Sequence, residues 1–92
     1  MLKLRYGRKF KKEFQKMIER GHSAEKLEEV LKYLVNQEPL PPEYKDHKLR
    51  GDYIGYRECH IESDWLSVYK VEEEILTLIL FRTGTHSELF KK

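Results

Sequence analysis

The spacing of apolar residues changes from helical to alternating across a proline-rich segment, and this change constrains the fold most. Apolar residues recur at intervals of three and four over 8–20, which predicts a helix that Gly21 ends. Ser23 is a suitable N-cap for a second helix, whose apolar stripe runs to Val35. Three prolines within 39–42 then exclude a continuing helix, and the residues beyond them alternate as strands do.

Alternation predicts one strand ahead of the helices and several behind them. The order of N-terminal strand, two-helix hairpin and four-stranded antiparallel meander predicts a single α+β domain over 1–92. We expect the helices to cover one face of the sheet and to leave the other face open. A short turn or helix is expected at 87–90. The five predicted strands cover 2–6, 48–53, 56–62, 65–71 and 75–82.

Composition places the chain among small intracellular proteins. It has 92 residues and a hydrophobic share of 39%, enough for one core. It contains no run of 18 apolar residues and no apolar signal region, and its single cysteine, Cys59, has no internal partner. We therefore expect a cytoplasmic protein without membrane association. Residues 1–20 carry eight basic side chains against two acidic ones, and such a segment either binds a polyanion or forms a solvated helix face.

Three histidines and one aspartate fall near predicted strand ends in the C-terminal half. His47 precedes a strand, His60 lies near a strand end, Asp64 lies in the next turn, and His86 follows the last strand. Because the ends of neighbouring strands meet at one edge of a sheet, these side chains can converge. The fourth histidine, His22, lies between the two helices and is assigned a structural role.

Such a cluster suits the cleavage of RNA, in which the 2′-hydroxyl attacks the adjacent phosphate. The reaction needs a base, an acid and positive charge on the phosphate, and histidine titrates near neutral pH. Arg82, four residues before His86, can supply the charge, and no metal is required. Two other interpretations stay open: the three histidines with Asp64 or Glu58 bind zinc, or they are ordinary strand-end residues.

Aromatic residues near this cluster can stack on unpaired bases. Trp65, Tyr69 and Phe90 are the candidates, and Trp65 is the best of them because it follows Asp64 at a turn. Phe90 lies close to the C-terminus, where a core role is unusual. The other aromatic residues of this half are assigned to packing, among them Tyr53, Tyr56 and Phe81.

Two motifs of the C-terminal half are specific in combination. Residues 45–65 contain Asp-His-x-Leu-x-Gly, and residues 82–90 contain Arg-Thr-Gly-Thr-His-Ser. They closely resemble the YafQ family of the RelE/ParE superfamily of bacterial toxin–antitoxin systems, which the rest of the chain fits in outline. Ser63 and Ser67 depart from the family, which commonly has proline and a bulky aliphatic residue there. Ser63 is expected to loosen its turn, and Ser67 indicates weaker packing or an exposed strand position.

This resemblance implies a RelE-like, microbial-ribonuclease-like α+β fold and an endoribonuclease that cuts messenger RNA in the ribosomal A site without a cofactor. It also implies a cognate antitoxin that blocks the site, with operator DNA bound only through the toxin–antitoxin complex. The alternative is a non-cleaving toxin that binds the ribosome or DNA gyrase, although the gyrase branch generally lacks this histidine set. The family's catalytic positions fall on His47, His60, Asp64 and His86, with accessory positions at Trp65 and Phe90 and a phosphate-facing Arg82.

Overall fold

One mixed sheet with helices on both faces organises the molecule. The computed structural model describes residues 1–90, in the order β1 (Lys3–Tyr6), α1 (Arg8–Glu19), α2 (Ala24–Val35), β2 (His47–Lys48), β3 (Arg57–Glu62), β4 (Trp65–Glu72), β5 (Thr77–Gly84) and α3 (His86–Leu89). The sheet order is β1-β5-β4-β3-β2, with β1 parallel to β5 and the other neighbours antiparallel. The predicted α+β fold is therefore confirmed.

The main core lies between the sheet and the two long helices. Ser23 caps α2, as the sequence predicts, because its hydroxyl accepts a hydrogen bond from the Glu25 backbone N–H at 3.2 Å. Within residues 1–90, no helix has the length and apolar character needed to cross a lipid bilayer. Side chains of both long helices and of the sheet are buried together in this core, including Phe10, Met17, Leu27, Val30, Cys59, Ile61, Trp65, Tyr69, Leu78 and Leu80.

Close packing at Gly7 sets the passage from β1 into α1. The Gly7 backbone N–H donates to the Leu80 carbonyl at 2.8 Å, which extends the parallel pairing beyond Tyr6. A Cβ at Gly7 would lie 2.9 Å from the same carbonyl oxygen, so a larger residue would push α1 away from β5. This glycine thus brings α1 against the end of β5 that precedes α3.

The prediction of a strand over 48–53 is wrong, because strand pairing with β3 stops after His47–Lys48. The chain instead turns at Gly51, whose φ of +64° favours glycine, and Gly51–Tyr53 form a single 3-10 turn. The Leu49 backbone N–H donates to the Tyr56 carbonyl at 2.9 Å, which closes the segment as a compact loop. The last strand also begins later than predicted, since Leu76 is left-handed (φ +48°) and pairing starts at Thr77.

The face of the sheet opposite the long helices is only partly open. Leu66 and Val68 of β4 are buried there beneath Leu89 of α3 and the 49–56 loop. Half-buried aromatic rings complete this second cluster, from Tyr53, Tyr56, Phe81 and Phe90. The sequence assigned the first three rings to packing, and the structure confirms that assignment. What stays accessible on this face lies around the cluster, and most of the predicted site residues are there.

Candidate active site

Strand register places three of the predicted site residues, His47, His60 and Arg82, in two rows across the accessible face. Register partners in neighbouring strands point to the same face and lie about 5 Å apart. His47 pairs with Glu58, which pairs in turn with Val68 and then Arg82. The next row runs from His60 through Leu66 to Gly84, two residues before His86.

A buried glutamate lies between two of the predicted histidines. The Glu58 Oε1 atom is 3.2 Å from His47 Nε2 and 3.9 Å from His60 Nε2. Glu58 is only 4% exposed, and its Oε2 atom has no hydrogen-bond partner among the described residues. A buried carboxylate with an unused acceptor is costly unless positive charge or a donor faces it, so this glutamate favours cationic groups beside it.

His47 is held from both sides of its ring. Its Nδ1 atom lies 2.7 Å from the Lys45 carbonyl, while its Nε2 atom faces Glu58. Both neighbours are hydrogen-bond acceptors, and together they fix the orientation of the ring. The side chain is nevertheless about half exposed, which leaves its edge available to an anion on the sheet face. His47 is thus held in place with one edge of its ring open to the sheet face.

The loop that carries His47 is anchored by the residue before it. The Asp46 carboxylate accepts hydrogen bonds from the Arg57 guanidinium, at 3.0 Å for the shorter one, and from the Tyr69 hydroxyl. Burial, followed by the hydrogen bond with Asp46, raises the pKa of Tyr69, so its hydroxyl stays a donor. Asp46 therefore fixes the start of β2 against β3 and β4.

Asp64 and His86 meet through the backbone. The Asp64 Oδ1 atom accepts a hydrogen bond from the His86 backbone N–H at 3.1 Å, so the β3–β4 turn is tied to the first residue of α3. Thr85 caps the same helix in a reciprocal pair with Glu88. The His86 ring is left exposed, 5.4 Å from the Phe90 ring. Asp64 thus holds His86 in place, and no hydrogen bond among residues 1–90 joins this pair to His60.

The guanidinium of Arg82 is bound from outside the sheet by Glu13 of α1. The shortest of three hydrogen bonds is 2.6 Å, and the same carboxylate accepts the Thr83 backbone N–H at 3.1 Å. Because β1 ends at Tyr6, no strand of residues 1–90 pairs with Thr83 on the side of β5 away from β4, and Glu13 takes that place. These hydrogen bonds raise the pKa of Arg82. An anion at Arg82 would share it with Glu13.

Trp65 is a core residue, so the prediction that it stacks on a base is wrong. It is 0% exposed, and its indole Nε1–H donates to the Thr83 hydroxyl at 2.8 Å. The Phe14 ring is stacked 6.3 Å from it, and His22 packs at 5.0 Å, which agrees with the structural role assigned to His22. Tyr69 is buried on the same face of β4 and is equally inaccessible. Of the three predicted stacking residues, only Phe90 is accessible.

The two serines that depart from the family pattern have different environments. Ser63 is exposed in the β3–β4 turn, beside Asp64. Ser67 is 2% exposed, and its hydroxyl is a buried polar group without a hydrogen-bond partner among the described residues. The expectation of an exposed strand position at Ser67 is therefore wrong.

Two residues of the site have roles that were not predicted, since Glu58 was named only as a possible zinc ligand and Glu13 was given no role. Glu58 alternates with His60 along β3, so strand periodicity places both on one face and was a usable signal. Glu13 gave no local signal, because its partner Arg82 is 69 residues away. Within residues 1–90, no group of three or more His, Cys, Asp or Glu side chains is arranged to hold a metal ion.

Comparison with known proteins agrees with this architecture. The family model described as the bacterial toxin YafQ of type II toxin–antitoxin systems matches residues 2–91. The mRNA interferase toxin YafQ of Escherichia coli K12 is 38% identical over 88 residues, which cover 95% of this chain and 94% of the relative.

Solved structures give the same result. A metal-bound toxin from Helicobacter pylori is 40% identical and superimposes with a TM-score of 0.93, over 98% of this chain and all of that one. The toxin in the E. coli DinJ–YafQ complex is 36% identical, with a TM-score of 0.87, over 98% of this chain and 99% of that one. The chain therefore belongs to the YafQ family of bacterial type II toxin–antitoxin toxins.

Proposed function

We propose that this toxin is a ribosome-dependent endoribonuclease that cleaves messenger RNA by acid–base catalysis without a metal and so stops translation. One observation carries the proposal: the buried Glu58 holds two histidines on the accessible face, while Asp64 presents the exposed His86 beside the same face. That arrangement provides titratable groups on two sides of a shallow site, as transfer of a phosphodiester to the 2′-hydroxyl requires.

The spacing of the groups supports a division of roles. His60 and Gly84 flank Leu66 in register, so two strand spacings, about 10 Å, separate them. A phosphate between His60 and His86 would meet one imidazole on the side of the attacking 2′-hydroxyl and the other on the side of the leaving 5′-oxygen. In this scheme His60 removes the hydroxyl proton and His86 protonates the leaving oxygen.

The remaining groups stabilise charge and geometry. His47 and Arg82 offer hydrogen bonds to the phosphate oxygens, which gain negative charge in the transition state. Glu58 balances the positive charge that His60 gains when it accepts the hydroxyl proton, and Asp64 positions His86 through the helix backbone. Phe90, next to His86, is the accessible ring for a neighbouring base.

Cleavage by single variants tests these roles. His60→Ala and His86→Ala are each expected to lower the rate of message cleavage on programmed ribosomes by about 10²- to 10⁴-fold. Glu58→Gln keeps the shape but removes the charge, and it should raise the KM and lower the kcat. Wild-type rates in both histidine variants would refute the scheme.

Two further measurements separate this function from its alternatives. Full activity in EDTA is expected, whereas a loss of activity that zinc restores would favour metal ligation by His47, Glu58 and His60. This measurement is needed because the H. pylori relative was solved as a metal-bound toxin. Mapping of RNA ends after brief expression should show codon-aligned breaks. Intact messages would instead indicate a toxin that binds without cutting.

We also propose that a cognate antitoxin binds this toxin and that operator DNA is contacted only through their complex. The DinJ–YafQ complex of the E. coli relative supports this assignment. Co-purification with the product of the neighbouring gene tests it. The basic face of α1 is available either to ribosomal RNA or to an acidic antitoxin segment.

A further inference from the structure

A basic groove lies beyond the proposed catalytic groups, at the end of the sheet away from the β3–β4 turn. It has a volume of about 840 Å³, within the range of small-molecule sites. Four cations and no carboxylate are among its lining side chains. The cations are Lys48, Arg50, Arg57 and Lys70, and the apolar lining includes Leu49, Ile54, Tyr56 and Val71.

Two of the four cations are already paired. Arg57 binds Asp46 and Lys70 binds Glu72 at 3.1 Å, whereas Lys48 and Arg50 have exposed side chains for which no carboxylate partner is found among residues 1–90. The unpaired charges lie on the short β2 strand and the loop after it. An anionic ligand would therefore bind along that side of the groove.

The apolar wall of the groove is unusually exposed. Ile54 is 78% exposed at the tip of the 49–56 loop, and nothing in the fold requires an isoleucine there. Beside it, the Tyr56 ring is fixed by stacking on Phe81 at 4.7 Å and by the Lys70 ammonium 5.4 Å from its centroid. Apolar surface next to free positive charge matches a nucleotide, which combines an apolar base face with a phosphate.

The groove is continuous with the catalytic row. One face of β3 carries Glu58 and His60, and Tyr56 directly precedes the strand at the same alternation. Tyr56 therefore lies about 7 Å from Glu58 and on the same face. Lys48 follows His47 on the edge strand β2 and pairs with Arg57, so its side chain lines the groove from the edge of the sheet. A single strand of RNA whose scissile phosphate lies between His60 and His86, and which continues along β3, would place a neighbouring nucleotide in the groove.

We propose that this groove is a nucleotide subsite for single-stranded RNA, in which Lys48 and Arg50 bind a phosphate and Ile54 contacts the adjacent base. The proposal rests on the proposed ribonuclease function and adds the means by which the message is held in register. RNA is favoured over an acidic antitoxin peptide because the groove lies beside the strand that carries Glu58 and His60.

Binding of an uncleavable RNA tests the subsite independently of catalysis. The probe is a fluorescein-labelled single-stranded octanucleotide with 2′-O-methyl riboses, and its anisotropy is followed over a range of KCl concentrations. Loss of one phosphate contact reduces the slope of log Kd against log salt by about 0.7, which weakens binding about fivefold at 0.1 M salt. Lys48→Ala and Arg50→Ala should each show this change, and Lys32→Ala, an exposed lysine of α2, should not.

Steady-state cleavage on programmed ribosomes supplies the second readout. Lys48→Ala, Arg50→Ala and Ile54→Ser are expected to raise the KM severalfold while the kcat stays near that of the wild type. Because all three side chains are exposed, the variants should fold normally.

Different outcomes separate the two proposals. Unchanged probe binding and KM in all three variants would overturn the subsite, as would weakened antitoxin binding with normal RNA binding. Groove-dependent probe binding by a wild-type protein that cuts no message would leave the subsite standing and refute the proposed catalysis.

Discussion

Replacement of Trp65 by phenylalanine distinguishes a packing role from a role in RNA binding. The indole is buried against Phe14 and His22, and its N–H donates to Thr83 at 2.8 Å. Loss of that hydrogen bond removes about 1 kcal/mol of stability. The smaller ring leaves a cavity that removes about 1 kcal/mol more.

The expected result is a less stable toxin with intact chemistry. A loss of about 2 kcal/mol lowers the Tm of a domain of this size by roughly 8 to 16 °C, measurable by scanning calorimetry. At 20 °C, where the variant stays folded, the kcat and KM of message cleavage should match those of the wild type. Thr83→Ser is the matched control, because it keeps the hydroxyl that accepts the bond and should lower the Tm less.

A different outcome would restore the stacking role. Stacking on a base contributes about 1 to 3 kcal/mol to RNA binding. An unchanged Tm together with a KM raised tenfold or more in Trp65→Phe would show that the indole contacts RNA, and the packing argument would then be refuted.

Three further changes follow from other contacts of the fold. Ser67→Ala removes a buried hydroxyl without a partner and should leave the free energy of unfolding in urea unchanged or raise it by about 1 kcal/mol; a clear loss would contradict this. The hydrogen bond from Arg20 lowers the pKa of Glu88 to about 2, so the stabilisation by Glu88 is complete above pH 4.5 and disappears as the pH falls through 2. The urea midpoint of the wild type should therefore fall over that pH interval, and the midpoint of Glu88→Gln should change less. Wild-type and variant profiles that run parallel would contradict this prediction. Glu13→Gln removes the charged partner of Arg82, and it should lower the free energy of unfolding by about 1 to 2 kcal/mol and slow cleavage. Glu19→Gln on the same helix should change neither quantity.

Local patterns were sufficient to predict most of the elements. The helical spacing over 8–20 and the alternation over 56–62 and 65–71 each depend on neighbours a few residues apart, and all three elements are present. The parallel pairing of β1 with β5 has no such signal, because it joins residues 74 positions apart, such as Lys3 and Thr77. The prediction of a strand over 48–53 was wrong because Gly51 permits a left-handed turn that alternation alone does not reveal.

The site was predictable in its residue types and less so in its geometry. The resemblance pointed to His47, His60, Asp64 and His86, but the connections among them come from the fold. The hydrogen bond from His86 to Asp64 spans 22 residues. The burial of Trp65 was readable in part, because it alternates with Ser67 and Tyr69 on the face that packs against the helices.

The carboxylate of Glu13 has a consequence for how the toxin is made. It joins the first helix to Arg82 and Thr83, and within residues 1–90 the strand before that helix pairs with β5 alone. A nascent chain emerges N-terminus first, so β1 and Glu13 find their partners only after β5 has left the exit tunnel. Arg82 and its carboxylate partner are therefore ordered late, and the arginine of the proposed phosphate site is among the last groups of the fold to be set in place.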